Sequence, residues 1–184
     1  MTLFQVVIGR GTQNYTCDLS NATAVPEPVG AVASLFNVSC IAADMPELLQ
    51  KLPGIALDLP AVPSTTDNAR GGPMMQDMSG HHYFVNNTTP FFNMDTSLHT
   101  YGKGAVKKTA AADAPDDAIV GPRGQGDGAV SWLMLSMNDY PEWGQPDFSA
   151  VYRLNTAGGN PPKMCTGQPE SFTVEYASEY WLFK

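Results

Sequence analysis

From Phe172 to Leu182 the chain alternates with a period of two. Phe172, Val174, Tyr176, Tyr180 and Leu182 share one parity, while Thr173, Glu175 and Glu179 occupy the other. Successive side chains of a strand point to opposite faces, so the pattern predicts a strand with one face on a core. Residues 148–156 repeat it, with Phe148, Ala150, Tyr152 and Leu154 set against Ser149, Arg153 and Asn155. VSWLMLSM at 130–137 is apolar on both parities, as expected of a central strand covered on both faces. His82–Val85 reads as a short strand closed by Asn86, Asn87 and Pro90.

Glycine- and proline-rich clusters separate these runs: GPRGQGDG at 121–128, YPEWGQPD at 140–147 and AGGNPP at 157–162. Helical character is confined to MPELLQKL at 45–52, where Pro46 suits an early helical position and Pro53 should end the run. Residues 54–79 show no periodicity and read as a long surface excursion. With 184 residues and no repeat or linker, the chain is expected to form one all-β domain over residues 1–184. Its architecture should be an antiparallel β-sandwich or barrel with one short helix.

Two readings compete for VVIGRGTQNYTC at 6–17, which holds both a Gly-x-Gly and the N-glycosylation sequon Asn14-Tyr15-Thr16. A dinucleotide fingerprint needs a third glycine and then a helix, and residues 11–19 supply neither. A strand accounts for the segment instead, with Tyr15 and Cys17 inward and Thr12, Asn14 and Thr16 outward, where a glycan can stand. Phe36, Val38 and Cys40 against Asn37 and Ser39 predict a second such strand. Further sequons begin at Asn21, Asn37, Asn86 and Asn87. Together with the cysteines they predict a secreted, extracellular glycoprotein. Met1–Gln5 leads straight into strand-like sequence with no signal peptide, so the chain reads as a mature form.

Charged residues make up only 15% of the chain and the net charge is −8. Ten scattered Lys and Arg cannot build the basic stripe that a nucleic acid requires. No apolar run approaches the ~20 residues of a membrane-spanning helix. The expectation is therefore a monomer with no nucleic-acid partner, no membrane and no cofactor.

Six blocks occur in order: GTQNYTC, a GA-x-A-x-LF pattern at Gly30–Phe36, GHHYF followed by Pro-Phe, VSWLMLSM, VYRLNTAGGNPPKMC and VEYASEYW. Together they resemble domain-of-unknown-function family 3455, known from secreted fungal and bacterial proteins. The resemblance spans nearly the whole chain, and RLNTAGG-PP-C with the aromatic last strand is its most specific part. It implies a secreted β-domain and brings no established reaction. The excursion at 54–79 is similar to the fungal form. Fungal members often carry the label malate dehydrogenase, an activity not expected here because the nucleotide fingerprint and crossover-helix pattern are absent. Cys17 and Cys165 occupy positions that bacterial relatives also fill, so the resemblance implies that pair as the disulfide. From the residues alone Cys17–Cys40, or three buried thiols, stand open.

Each candidate for chemistry has a plainer alternative. His81 and His82 are adjacent on a strand and face opposite ways, so they cannot chelate one ion together. His82 could meet His99 or Asp95 across strands, or serve a hydrogen-bond network beside Tyr83. No nucleophile elbow surrounds Ser131 or Ser136. Asp139, Glu142 and Asp147 are carboxylates of the sort that glycoside hydrolysis uses in pairs, and are more often simply solvated. TAGGNPP lacks the Lys-Ser/Thr of a phosphate loop and reads as a turn closed by Asn155 and Thr156. In DYPEWGQPDF at 139–148, Tyr140 and Trp143 stand among acids and amides, as sugar-stacking rings do, or else plug one end of the domain. The function expected is a non-catalytic module binding cell-wall or plant carbohydrate through Tyr140, Trp143, His82 and Asp139. The alternative is a secreted hydrolase or metal-dependent enzyme centred on His82.

Overall fold

In the chain's structure, a computed structural model, residues 1–21, 23–61, 77–138, 142, 144 and 146–184 are described. Eight strands run in chain order around a closed antiparallel barrel: β1 Leu3–Thr16, β2 Glu27–Asn37, β3 Met78–Val85, β4 Thr89–Asp95, β5 Thr100–Ala112, β6 Trp132–Met137, β7 Ala150–Gly158 and β8 Ser171–Phe183. Of the two predicted architectures, the barrel is the one formed. β8 returns to pair with β1 from Leu3↔Phe183 to Thr16↔Ser171. Closure gives every strand two partners and leaves no edge exposed.

The barrel is filled by side chains, with large rings set against small residues. Tyr176 and Tyr180 of β8 and Phe92 of β4 share the interior with Ala31 and Ala33 of β2. Gly9 explains half of the Gly-x-Gly: a Cβ there would lie 2.5 Å from Cε2 of Tyr180. At Gly11 a Cβ would meet the Val32 carbonyl. The two glycines serve close packing of β1 against β2 and β8. Tyr15 and Cys17 point inward as expected, and Tyr15 Oη donates to the Gly159 carbonyl at 2.7 Å.

The outer face of β1 and β8 is covered as well. Three helices, α1 Ser39–Asp44, α2 Pro46–Leu49 and α3 Leu52–Asp58, form a bent run that packs Leu49 on Val6 and Ile8, and Leu57 on Ala157 and Ala177. The helix read at 45–52 is thus extended at both ends. Pro53 opens α3 instead of ending the run, since a first-turn residue needs no N–H partner. The excursion read from 54 accordingly starts later: residues 54–58 are helical, 62–76 lie outside the described residues, and β3 begins at Met78. Arg10, 4% exposed, holds α3 in place. Its guanidinium donates to the carbonyls of Ala56 at 2.9 Å and Leu59 at 2.9 Å, at the helix C-terminus, and to Glu175 Oε1 at 2.7 Å.

Three other expectations need correction. β2 stops at Asn37 and Cys40 lies exposed in α1, so Phe36, Val38 and Cys40 do not share a strand face. β6 covers the core only with Leu133, Leu135 and Met137; Trp132, Met134 and Ser136 are half-buried outside. In β7 the parity is reversed: Val151 and Arg153 pair with Leu182 and Tyr180, which face the core, so Arg153 points into the barrel. The chain enters β7 irregularly, with both Phe148 and Val151 in the core, and that odd spacing defeats simple alternation. The hairpin between β3 and β4 turns at Asn86 and Asn87, both left-handed at φ 53° and 57°, as asparagine tolerates. Pro90 lies inside β4.

Cys17 and Cys165 form a disulfide with Cα atoms 5.6 Å apart, tying the end of β1 to the β7–β8 connection across 148 positions of sequence. This is the pair that the family resemblance implied. Replacing both with serine should lower the unfolding free energy by about 2–5 kcal/mol, read by urea denaturation. An unchanged midpoint would mean that barrel closure alone constrains these ends.

His82 lies in the interior at 3% exposure, stacked 4.4 Å from the Phe92 ring, with Nδ1 3.0 Å from the Phe91 carbonyl. Burial, reinforced by the nearby Arg153 charge, pulls its pKa down to about 4. Below its ordinary value of 6.5 the unfolded chain binds a proton that the folded ring refuses until about pH 4. Stability from this group is therefore full above 6.5 and falls as the pH drops through that window, by on the order of 3 kcal/mol in total. His82→Phe, which keeps the stack, should flatten the stability–pH curve between 6.5 and 4 by that amount. An unaltered slope would assign acid sensitivity to other groups.

Candidate functional site

A cleft holding both polar and aromatic groups lies outside the barrel, between the helical run and β6–β8, with a volume of about 490 Å³. Gln50, Pro53 and Gly54 of the helical run form one wall. The β5–β6 connection supplies Pro115, Asp117 and Ile119, held by a hydrogen bond from the Gly158 N–H to the Ile119 carbonyl at 2.7 Å. The floor is built by Trp132, Asn155 and Glu179 from the outer faces of β6, β7 and β8.

A β-bulge sets the floor. The β7–β8 register shifts between Leu154 and Ala157, and Asn155 adopts a left-handed φ of 46°. Bulges re-aim side chains. Here Asn155 Nδ2 donates to the Gln50 carbonyl at 2.8 Å and to Glu179 Oε1 at 2.8 Å, linking helix, β7 and β8. Asn155 and Thr156, read as closing a turn, thus lie at a bulge within β7, and the strand ends at Gly158, before the rest of the TAGGNPP segment. Trp181, two residues along the same face of β8, donates Nε1–H to Glu179 Oε2 at 2.8 Å. Both oxygens of Glu179 are thus oriented by neutral donors, and the residue is 5% exposed although it lies on the polar parity.

Trp132 lines the cleft half-buried, and its Nε1–H is a buried donor with no acceptor among the described residues. No Lys, Arg or His appears among the lining residues. The cleft presents an aromatic ring, two carboxylates (Glu179 and Asp117) and two amides (Asn155 and Gln50). Such a set can pack against an apolar ring face and exchange hydrogen bonds with hydroxyl or amine groups.

Of the binding residues singled out from sequence, His82 does not line this cleft. Asp139, Tyr140 and Trp143 lie outside the described residues. His82 is sealed in the barrel core, so it lines no surface site. Asp95 Oδ1 accepts the Gly102 N–H at 2.7 Å, and His99 stacks on Tyr101 with ring centroids 5.2 Å apart. Among the described residues no three His, Cys, Asp or Glu groups are placed to hold a metal ion. Glu142 is exposed, and Asp147 lies 3.8 Å from Lys184 Nζ at the surface. Asn21, Asn37, Asn86 and Asn87 are exposed and Asn14 is half-buried on the outer face of β1. At Asn21 the sequon is folded on itself, with Thr23 Oγ1 donating to Asn21 Oδ1 at 2.9 Å.

Trp132, Asn155 and Glu179 were not recognised from sequence as site residues. The available signal was their position: they come one each from VSWLMLSM, VYRLNTAGGNPPKMC and VEYASEYW, and the fold brings these three blocks together at one cleft. No curated protein and no solved structure matches the chain significantly. A family described as "Protein of unknown function (DUF3455)" matches it over residues 1–184. The chain belongs, over its whole length, to the DUF3455 family of proteins of unknown function.

Proposed function

We propose that this protein is a secreted, non-catalytic carbohydrate-binding domain whose ligand lies in the cleft floored by Trp132, Asn155 and Glu179. The observation that carries the reading is the combination of a half-buried indole with oriented amide and carboxylate groups in a cleft of about 490 Å³. A pyranose has an apolar C–H face that packs on an aromatic ring and a rim of hydroxyls that needs both donors and acceptors. The volume lies within the range of small-ligand sites.

Secretion is supported by the Cys17–Cys165 disulfide and by the four exposed sequons. Among the described residues no helix is long and apolar enough to cross a membrane. Tyr140 and Trp143 form the second candidate platform, on sequence grounds.

A thermal-shift screen against oligosaccharides, followed by calorimetry, tests the reading. A ligand at 100 times its Kd stabilises the folded state by about 2.7 kcal/mol, which raises the midpoint visibly. Trp132→Ala should weaken binding at least tenfold, while Trp132→Phe should retain part of it and both variants should still unfold cooperatively. Wild-type affinity in Trp132→Ala together with a loss in Trp143→Ala would move the site to the 139–148 loop. No response to any glycan class would remove the carbohydrate reading.

A further inference from the structure

We propose that the cleft selects a cationic ligand, specifically an amino sugar carrying a free ammonium group. The proposal rests on the carbohydrate reading above and specifies its sugar class. Glu179 is 5% exposed, yet among the described residues no cationic side chain lies within ion-pair distance of it. A buried carboxylate is ordinarily matched by a cation, because desolvating it unpaired is expensive. Asn155 and Trp181 each contribute one neutral hydrogen bond. A carboxylate offers about four lone-pair positions, so further acceptor capacity remains.

The rest of the cleft has the same electrostatic character. Asp117 adds a second carboxylate on the β5–β6 connection, and no lining residue carries positive charge. An indole face attracts a cation through its quadrupole, and Trp132 supplies one in the same cleft. An ammonium brings three donors and no acceptor, which complements acceptor-only carboxylates. Uronic acids and sulfated sugars would place like charge beside Glu179 and Asp117 and are disfavoured. A neutral sugar would leave Glu179 without a counter-charge.

The test compares four probes by calorimetry at low salt: a glucosamine oligomer with free amines, its N-acetylated counterpart of equal length, a uronic-acid oligomer, and spermine as a sugar-free polyamine. The expected result is at least tenfold preference for the free-amine oligomer over the N-acetylated one, no detectable binding of the uronate, and weak binding of spermine. Raising the salt should erode the free-amine affinity and leave any N-acetyl affinity unchanged. Glu179→Gln should abolish the preference. Asp117→Asn, at an exposed position, should reduce it several-fold and guards against Glu179→Gln failing to fold. Equal affinity for the free-amine and N-acetylated oligomers would overturn the charge inference while leaving the carbohydrate reading intact. Spermine binding as tightly as the free-amine oligomer would overturn the sugar component. Silence of all four probes would overturn the amino-sugar proposal, and the wider glycan screen then decides the carbohydrate reading separately.

Discussion

Closure of β8 onto β1 is the constraint on which the rest of the molecule depends. It joins the two ends of the chain along the whole length of both strands, so neither strand has an open edge. The interior that results is narrow. It accepts Tyr176, Tyr180 and Phe92 because the facing strands contribute Gly9, Ala31 and Ala33. The disulfide between Cys17 and Cys165 reinforces this closure, tying the end of β1 to the connection that leads into β8.

Once the barrel closes, its outer wall along β1, β7 and β8 is too apolar to face water. Val6, Ile8, Ala157 and Ala177 are covered by the bent helical run, which has no stable existence by itself: segments this short do not hold helical structure in water. They are held by burial of Leu49 and Leu57 and by the Arg10 guanidinium at the carbonyls that end α3. The cleft follows from this arrangement. Where the helical run stops short of β6, a space remains, and the bulge in β7 turns Asn155 into it.

Two charged groups of opposite sign lie on opposite sides of the barrel wall, and neither has an ionic partner among the described residues. Arg153, 9% exposed, faces inward and donates through Nε and Nη2 to the Ser131 carbonyl. Its field lowers the pKa of His82 and partly opposes the burial that raises Tyr15 to about 12. Burial also holds Tyr176 well above its ordinary range, and its hydroxyl meets that of Tyr180 at 2.9 Å. The interior cation is therefore surrounded by groups that remain neutral. Glu179 faces outward and has only neutral donors. The barrel wall separates a core that tolerates its charge through a backbone carbonyl from a cleft whose carboxylate meets only neutral donors.

The strands, their alternation and the all-β class were legible in local sequence, because a period of two is imposed by backbone geometry within a single segment. The inward Tyr15 and the outward Asn14 followed from the same rule. Sandwich and barrel could not be told apart, since both are built from the same amphipathic strands. The difference is whether the first and last strands meet, which is a contact across the full length of the chain. Parity failed at Arg153 because an irregular entry into β7 shifts every later side chain to the other face. It misled at Glu179 because a polar residue on an outer face reads as solvated unless the covering helices are known. The cleft was invisible for the same reason. Trp132, Asn155 and Glu179 lie far apart in sequence with no shared motif spacing, and only barrel closure, the β7 bulge and the docked helices bring them within one site.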